Sequence, residues 1–139
     1  MTIFQAEQAY LNDLRQLPDR LSKYQYVLSI AGLAEAFPDA EKTEANRIKS
    51  CQIKTWFCAH VSEGKLFFQS DSESLLIKGI LNILTEIYSD HTPQEILSAQ
   101  STLLQDPEIV SVIPENRSNG IQSVWQNIQA AARTCMEGK

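Results

Sequence analysis

The order of predicted elements in this 139-residue chain indicates an α+β fold, in which a small antiparallel β-sheet packs against helices. Apolar residues recur at helical spacing on both sides of one central stretch that is rich in aromatic and β-branched residues. The predicted order is two helices, a β-hairpin and three further helices. Because helices and strands are segregated along the chain, we expect the helices on one face of the sheet. We expect residues 1–139 to form a single domain.

Two helices are predicted before the hairpin. The first begins after Thr2, which has the capping-box partner Gln5 three residues later. The second runs from about Asp19 to Ala34, and Phe37-Pro38-Asp39 ends it. The apolar residues expected to face inward are Phe4, Ala9, Tyr10 and Leu14 in the first helix and Leu21, Tyr24, Leu28 and Ala31 in the second.

The hairpin is predicted from its composition. Residues 55–61 are aromatic and β-branched, residues 62–65 read as a turn, and residues 66–69 form the return strand. The polar residues 40–49 before the hairpin are predicted to form a loop.

Three helices are predicted after the hairpin. Residues 71–74 supply N-cap candidates and first-turn acids for a central helix, and Thr92-Pro93 with Glu95 marks the start of a short one. Asp106-Pro107 and Pro114 indicate loops, and Ser118 is the expected cap of the final helix. The predicted apolar faces are Leu76, Ile80, Ile83, Leu84 and Ile87 in the central helix and Ile121, Val124, Ile128, Ala131 and Cys135 in the final one.

Charge and hydropathy exclude several classes of function. The net charge is −5 and the pI is near 5.0, with no concentrated basic face, so we expect no binding to nucleic acid. The most apolar stretch, residues 75–87, is interrupted by polar and charged residues, so we expect no membrane span. The first residues lack the pattern of a signal peptide, and we expect a cytoplasmic protein.

Three cysteines, Cys51, Cys58 and Cys135, have no short paired spacing, which argues against a disulfide framework and a metal knuckle. Cys51 lies between a polar loop and a strand, with Lys49 and Lys54 on either side. Nearby cations favour the thiolate, which is the reactive form of a cysteine. Cys51 is therefore the candidate nucleophile of the chain.

The other candidate residues have plainer explanations. Cys58 lies inside a strand and Cys135 on the apolar face of a helix, so we expect both in the core. Cys58 and His60 share a strand face, but two ligands do not make a metal site, and we expect no bound metal or cofactor. A hydrolase would need His60 or His91 as its base, and the chain has no nucleophile elbow.

Four blocks of sequence, in the same order and at compatible spacing, resemble the SufE family of sulfur acceptors. Any one block is weak, and the four together are specific. They are Arg47-Ile48 through Cys51-Gln52 and Trp56, then Asp71-Ser72-Glu73 with Ile77-Lys78-Gly79, then Thr92-Pro93-Gln94-Glu95-Ile96, and last Arg117-Ser118-Asn119-Gly120.

The resemblance implies a SufE/IscU-like fold and a protein without its own small substrate. Such a protein receives a persulfide from a PLP-dependent cysteine desulfurase of the SufS/CsdA-like kind, stimulates that enzyme, and passes sulfur on for iron–sulfur cluster assembly. Its downstream partner is an iron–sulfur scaffold or another sulfur acceptor. It implies Cys51 as the persulfide-forming residue. The residues that would support the thiol or bind the partner are Lys49, Ser50, Gln52, Glu73 and Arg117.

The chain departs from the family pattern beside the cysteine. Ser50 replaces the usual glycine, and Ile53-Lys54-Thr55 replaces a more polar run that ends in valine. We expect apolar residues to cover the Cys51 sulfur in the free protein, and the candidates are Ile53, Trp56, Phe57, Leu75 and Leu76. The alternative function is a regulatory partner of a desulfurase or scaffold that carries no sulfur.

Overall fold

A computed structural model describes residues 1–99 and 101–137, and it confirms the α+β class with an antiparallel sheet packed against helices. The described residues contain two strands, β1 (Thr55–Ser62) and β2 (Lys65–Ser72). Their helices are α1 (Ile3–Arg15), α2 (Arg20–Leu33), α3 (Leu75–Tyr88), α4 (Pro93–Ser98), α5 (Pro107–Val110) and α6 (Ser118–Glu137).

The two strands form a hairpin whose register places Thr55 opposite Ser72 and Ser62 opposite Lys65. β2 is longer than predicted, because Ser70, Asp71 and Ser72 continue the ladder past the aromatic stretch. Phe57 and Phe68 stack on one face of the hairpin, with ring centroids 5.8 Å apart. Residue pairing at a period of two puts Thr55 and Ser72 on that same face. The buried face of the hairpin therefore carries these two hydroxyls at its end.

Helix α3 lies at the centre of the fold. It packs against both β2 and α2, and its predicted apolar stripe is buried throughout. Ser74 is its N-cap and accepts a hydrogen bond from the Ile77 backbone N–H. The prediction that Asp71 and Glu73 lie in the first turn of this helix is wrong. Asp71 lies in β2, and Glu73 precedes the N-cap. The hydrogen-bonded ladder of the hairpin includes Asp71 and Ser72, which the sequence pattern assigns to the start of the helix.

The inward faces of α1 and α2 match the prediction at Leu14 and Ala31 and differ from it elsewhere. In α1 the buried residues are Ile3, Glu7, Leu11 and Leu14, and Phe4 is 69% exposed. In α2, Leu21 is 65% exposed, and the buried face is Val27, Ile30 and Ala31. Both helices carry apolar residues on more than one side, so spacing alone did not decide which side faces α3.

Two predictions for the last third of the chain were wrong in detail. Asp106 accepts a hydrogen bond from the Glu108 N–H and starts α5, where a loop was expected. Ser118 does not cap α6 in the expected way, because its hydroxyl donates to the Glu115 carbonyl. The chain enters α6 through a 3-10 turn, Glu115–Arg117, which leaves no separate cap position.

Within residues 1–99 and 101–137, no helix has both the length and the apolar composition needed to cross a membrane.

The contact of α3 with α2 at Gly79 gives a first prediction. A Cβ on Gly79 would collide with the Val27 backbone oxygen and with its Cγ1. Gly79→Ala should lower the free energy of unfolding by about 1–3 kcal/mol, because a rigid backbone must move. Urea unfolding followed by circular dichroism measures this loss. Gly32→Ala is the control, since a Cβ at Gly32 meets nothing within 4 Å. An equal effect of both substitutions would contradict this packing.

Candidate functional site

Cys51 lies in a short loop, residues 49–54, which we call the Cys51 loop. The base of the loop is closed where the Ile48 N–H donates to the Thr55 carbonyl at 2.8 Å. Inside the loop the Cys51 N–H donates to the Ile48 carbonyl at 3.2 Å, which forms a tight turn. Two backbone hydrogen bonds therefore hold Cys51 at a defined distance from the start of β1.

The Cys51 side chain is buried, with 6% of its surface exposed, and it belongs to the main apolar cluster. The first turn of α6 lies directly against it: a Cβ on Gly120 would be 3.0 Å from both Cβ and Sγ of Cys51. Among the expected covering residues, Phe57 and Leu76 are buried, and Leu75 is 60% exposed. The Cys51 side chain therefore points from the loop into the protein, whereas Leu75 is mostly exposed to solvent.

A buried hydroxyl contacts the sulfur. Thr55, which is 1% exposed, has its Oγ1 3.3 Å from Cys51 Sγ and 3.0 Å from the Ile53 carbonyl. The Ser72 Oγ is 3.0 Å from the same Thr55 oxygen and also accepts from the Ser74 N–H. The sulfur therefore has a polar neighbour inside an otherwise apolar environment.

Two side-chain contacts join the exposed side of the Cys51 loop to the start of α6. The hydroxyls of Ser50 and Ser123 are 2.6 Å apart, and Arg117 Nη1 donates to Gln52 Oε1 at 3.4 Å. Ser50, which departs from the family pattern, is therefore hydrogen-bonded to Ser123 of α6, next to the buried cysteine. These contacts hold the loop closed over Gly120.

The charged candidates lie at the rim of the site. Lys49 is 67% exposed and binds Glu44 at 2.6 Å, and this hydrogen bond lowers the pKa of the Glu44 carboxyl below its ordinary value. Glu73 is exposed, and its backbone N–H donates to the Lys54 carbonyl at 3.0 Å. The positive end of the α6 dipole is close to the sulfur, which favours a negative charge there. Roles for Lys49, Ser50, Gln52, Glu73 and Arg117 stay predictions.

The other two cysteines lie further along β1 and α6 and have different surroundings. Cys58 is buried, as expected, and its Sγ lies 3.6 Å from His60 Nε2. Burial, with a smaller contribution from Glu41, raises the pKa of the Cys58 thiol. Cys135 is only partly buried against the core. Among the described residues, no group of three or more potential metal-ligating side chains converges.

Sequence reasoning missed several residues of the site. Ser72 looked like a helix-start residue, and Ser123 carried no signal because only the fold brings it to the loop. Thr55 was visible as a departure from the family pattern, but its contact with the sulfur was not. Gly120 was present in the fourth block without an assigned role. These residues come together only because α6 and the end of β2 pack close to the Cys51 loop.

The comparison with protein families identifies this chain. The family described as "SufE: Fe-S metabolism associated domain" matches residues 8–132. The chain belongs to the SufE family, which has a role in iron–sulfur metabolism.

The individual proteins that resemble this chain share about a quarter of its residues or fewer. A chloroplastic quinolinate synthase of Arabidopsis thaliana is 26% identical over 87% of this chain, but the match covers only 17% of that protein. An uncharacterized SufE-like protein of Synechocystis sp. is 24% identical over 82% of this chain and 72% of its own length. The solution structure of a hypothetical protein from Thermus thermophilus has a TM-score of 0.78, 21% identity and 99% coverage of both chains. This last likeness shows the fold.

The absence of a side chain at Gly120 gives a second prediction. Gly120→Ala should push Cys51 out of its buried position, because the new Cβ would meet Cys51 Cβ and Sγ at 3.0 Å. We expect iodoacetamide to alkylate Cys51 about 5- to 30-fold faster, the factor that corresponds to about 1–2 kcal/mol of overpacking. Peptide mapping by mass spectrometry assigns the rate to Cys51. Gly32→Ala should leave the rate unchanged, and an unchanged rate in folded Gly120→Ala would contradict the close approach.

Proposed function

We propose that this protein is a sulfur acceptor and carrier whose Cys51 receives a persulfide from a cysteine desulfurase, and that it stimulates that enzyme and passes the sulfur on for iron–sulfur cluster assembly. The observation that carries the proposal is Cys51 itself: in a chain of the SufE family, it occupies a short loop held over the start of α6. Residues 49–54 lie outside the two strands.

The proposed reaction is an exchange between thiolate and persulfide. The Cys51 thiolate attacks the terminal sulfur of the donor's persulfide, and a new S–S bond forms on Cys51. The S–S bond of the donor breaks, and the donor cysteine leaves as a thiolate. The donor is reduced as Cys51 is oxidised, so no external oxidant is needed. The step requires an accessible nucleophilic sulfur and no general acid–base pair in this protein.

Access is the main requirement that the closed loop does not meet. The Ser50–Ser123 and Gln52–Arg117 contacts are exposed, and a hydrogen bond of this kind stabilises a protein by about 0.5–1.5 kcal/mol. A partner that binds the open loop more tightly than the closed one shifts the equilibrium by the difference between its two binding free energies. The exposed side chains of Lys49, Gln52 and Glu73 are the groups available to such a partner at the rim.

Burial of Cys51 also favours one alternative, a regulatory protein that binds a desulfurase or a scaffold without carrying sulfur. A cysteine that is 6% exposed can be a small core residue whose loop forms a binding surface. The two functions differ in whether a covalent sulfur is found on Cys51 after turnover. Incubation with a desulfurase and cysteine, followed by intact mass measurement, separates them.

Substitution of each cysteine gives a third prediction. Wild-type protein should gain the mass of one sulfur atom, and a reductant should remove it. Cys51→Ser should gain none, because a hydroxyl cannot form a persulfide. Cys58→Ser and Cys135→Ser are matched controls that should accept sulfur, with a loss of stability of up to about 1–3 kcal/mol at a buried position. Full uptake by Cys51→Ser would refute the proposal.

Exposure by the partner gives a fourth prediction. Free protein should react with iodoacetamide at Cys51 much more slowly than an unfolded peptide of residues 47–56, because the sulfur is buried. Adding a desulfurase whose own catalytic cysteine is replaced by alanine should raise the rate. Alkylation of Cys135, measured in the same samples, reports any general loosening of the fold. Equal rates for the free protein and the peptide, with no effect of the partner, would be inconsistent with a shielded thiol.

A further inference from the structure

We infer that the Thr55 hydroxyl, supported by Ser72, is a hydrogen-bond donor to Cys51 that stabilises its thiolate while the Cys51 loop is closed. The contact is direct, since Thr55 Oγ1 lies 3.3 Å from Cys51 Sγ. Its role in sulfur transfer rests on the proposed function, but the hydrogen bond itself does not.

Burial creates the need for such a donor. A thiolate removed from water loses its hydration, and apolar surroundings favour the neutral thiol. Cys51 is 6% exposed, and the neighbouring surface of α6 at Gly120 offers it no side chain. A donor within the buried site replaces part of the lost hydration. Thr55, which is 1% exposed, is placed to do this.

The hydrogen-bond geometry allows both protonation states of the sulfur. A hydroxyl has one hydrogen to donate and two lone pairs that accept. With a neutral Cys51, the Thr55 hydroxyl has two acceptors within reach of its hydrogen, the Ile53 carbonyl at 3.0 Å and Cys51 Sγ at 3.3 Å, and its oxygen can accept from Ser72. When Cys51 loses its proton to solvent, rotation of the Thr55 hydroxyl directs its hydrogen to the sulfur.

Ser72 supports the Thr55 hydroxyl from the side away from the sulfur. Its Oγ accepts from the Ser74 N–H at 3.2 Å, so its own hydrogen is available to Thr55 at 3.0 Å. The direction of donation from Ser72 to Thr55 to Cys51 strengthens the last hydrogen bond, because each donor is polarised by the one before it. The relay joins the ends of β1 and β2, where Thr55 and Ser72 are paired in the ladder.

The fixed charges near the sulfur are the positive end of the α6 dipole and several ionised side chains. The charged residues next in sequence to the residues around the sulfur lie in three places: on the Cys51 loop, at the end of β2 and just before α6. Lys49 binds Glu44, Asp71 binds Lys42 and Lys78, and Arg117 binds Gln52. Lys54 and Glu73 are exposed to solvent, which screens their charges. Removal of the Thr55 hydroxyl leaves all of these charged residues in the chain.

Thr55→Val tests the inference, because valine keeps the shape of threonine and lacks the hydroxyl. The readout is the pH dependence of thiolate ultraviolet absorbance, measured in Cys58→Ala/Cys135→Ala protein so that Cys51 is the sole thiol. We expect the midpoint of the transition to move to more alkaline pH by about one unit, as a hydrogen bond to a charged group predicts. Thr85→Val is the matched control, since Thr85 is also buried but donates to the Asn82 carbonyl in its own helix.

Two further variants keep the test decisive if Thr55→Val does not fold. Thr55→Ser should retain the wild-type midpoint, and Ser72→Ala should shift it in the same direction as Thr55→Val but by less. An unchanged midpoint in folded Thr55→Val, or in Ser72→Ala where Thr55→Val is unfolded, would overturn the inference. The titration needs no desulfurase. Wild-type protein that accepts no sulfur would therefore refute the proposed function and leave the hydrogen bond intact.

Discussion

The approach of the first turn of α6 to the Cys51 loop is the constraint on which the site depends. The approach is possible because residue 120 is a glycine, and a single methyl group there would lie 3.0 Å from the Cys51 sulfur. The same approach brings Ser123 within 2.6 Å of Ser50 and Arg117 within 3.4 Å of Gln52. Burial of the sulfur, closure of the loop and the nearby helix dipole are three consequences of one packing contact.

Access to the Cys51 sulfur and its ionisation are two distinct requirements for reaction, although burial affects both. Burial limits which molecules reach the sulfur, so small electrophiles and oxidants in solution react slowly. Ionisation decides whether the sulfur is a nucleophile once it is reached. The close packing at Gly120 acts on the first property, and the Thr55–Ser72 pair acts on the second. The proposed carrier function would require both properties.

The closed loop is also weakly held compared with the core beneath it. Helix α3 is almost entirely buried between α2 and the sheet. Two of the loop contacts to α6 are exposed hydrogen bonds, which contribute little free energy each, and the third is the buried packing of Cys51 against Gly120. The loop opening that the proposed function requires would involve residues 49–54, which lie between the Ile48–Thr55 hydrogen bond and the surface of α6.

The sequence by itself determined the α+β class, the hairpin, the central helix and the family, because these depend on local periodicity, turn chemistry and short motifs. It also singled out Cys51. It could not decide which sides of α1 and α2 face inward, since both carry apolar residues on several sides. Only the tertiary structure decided that Thr55, Ser72, Gly120 and Ser123 surround the cysteine. Those residues lie on β1, β2 and α6, and no local pattern records a contact between segments that are up to 73 residues apart.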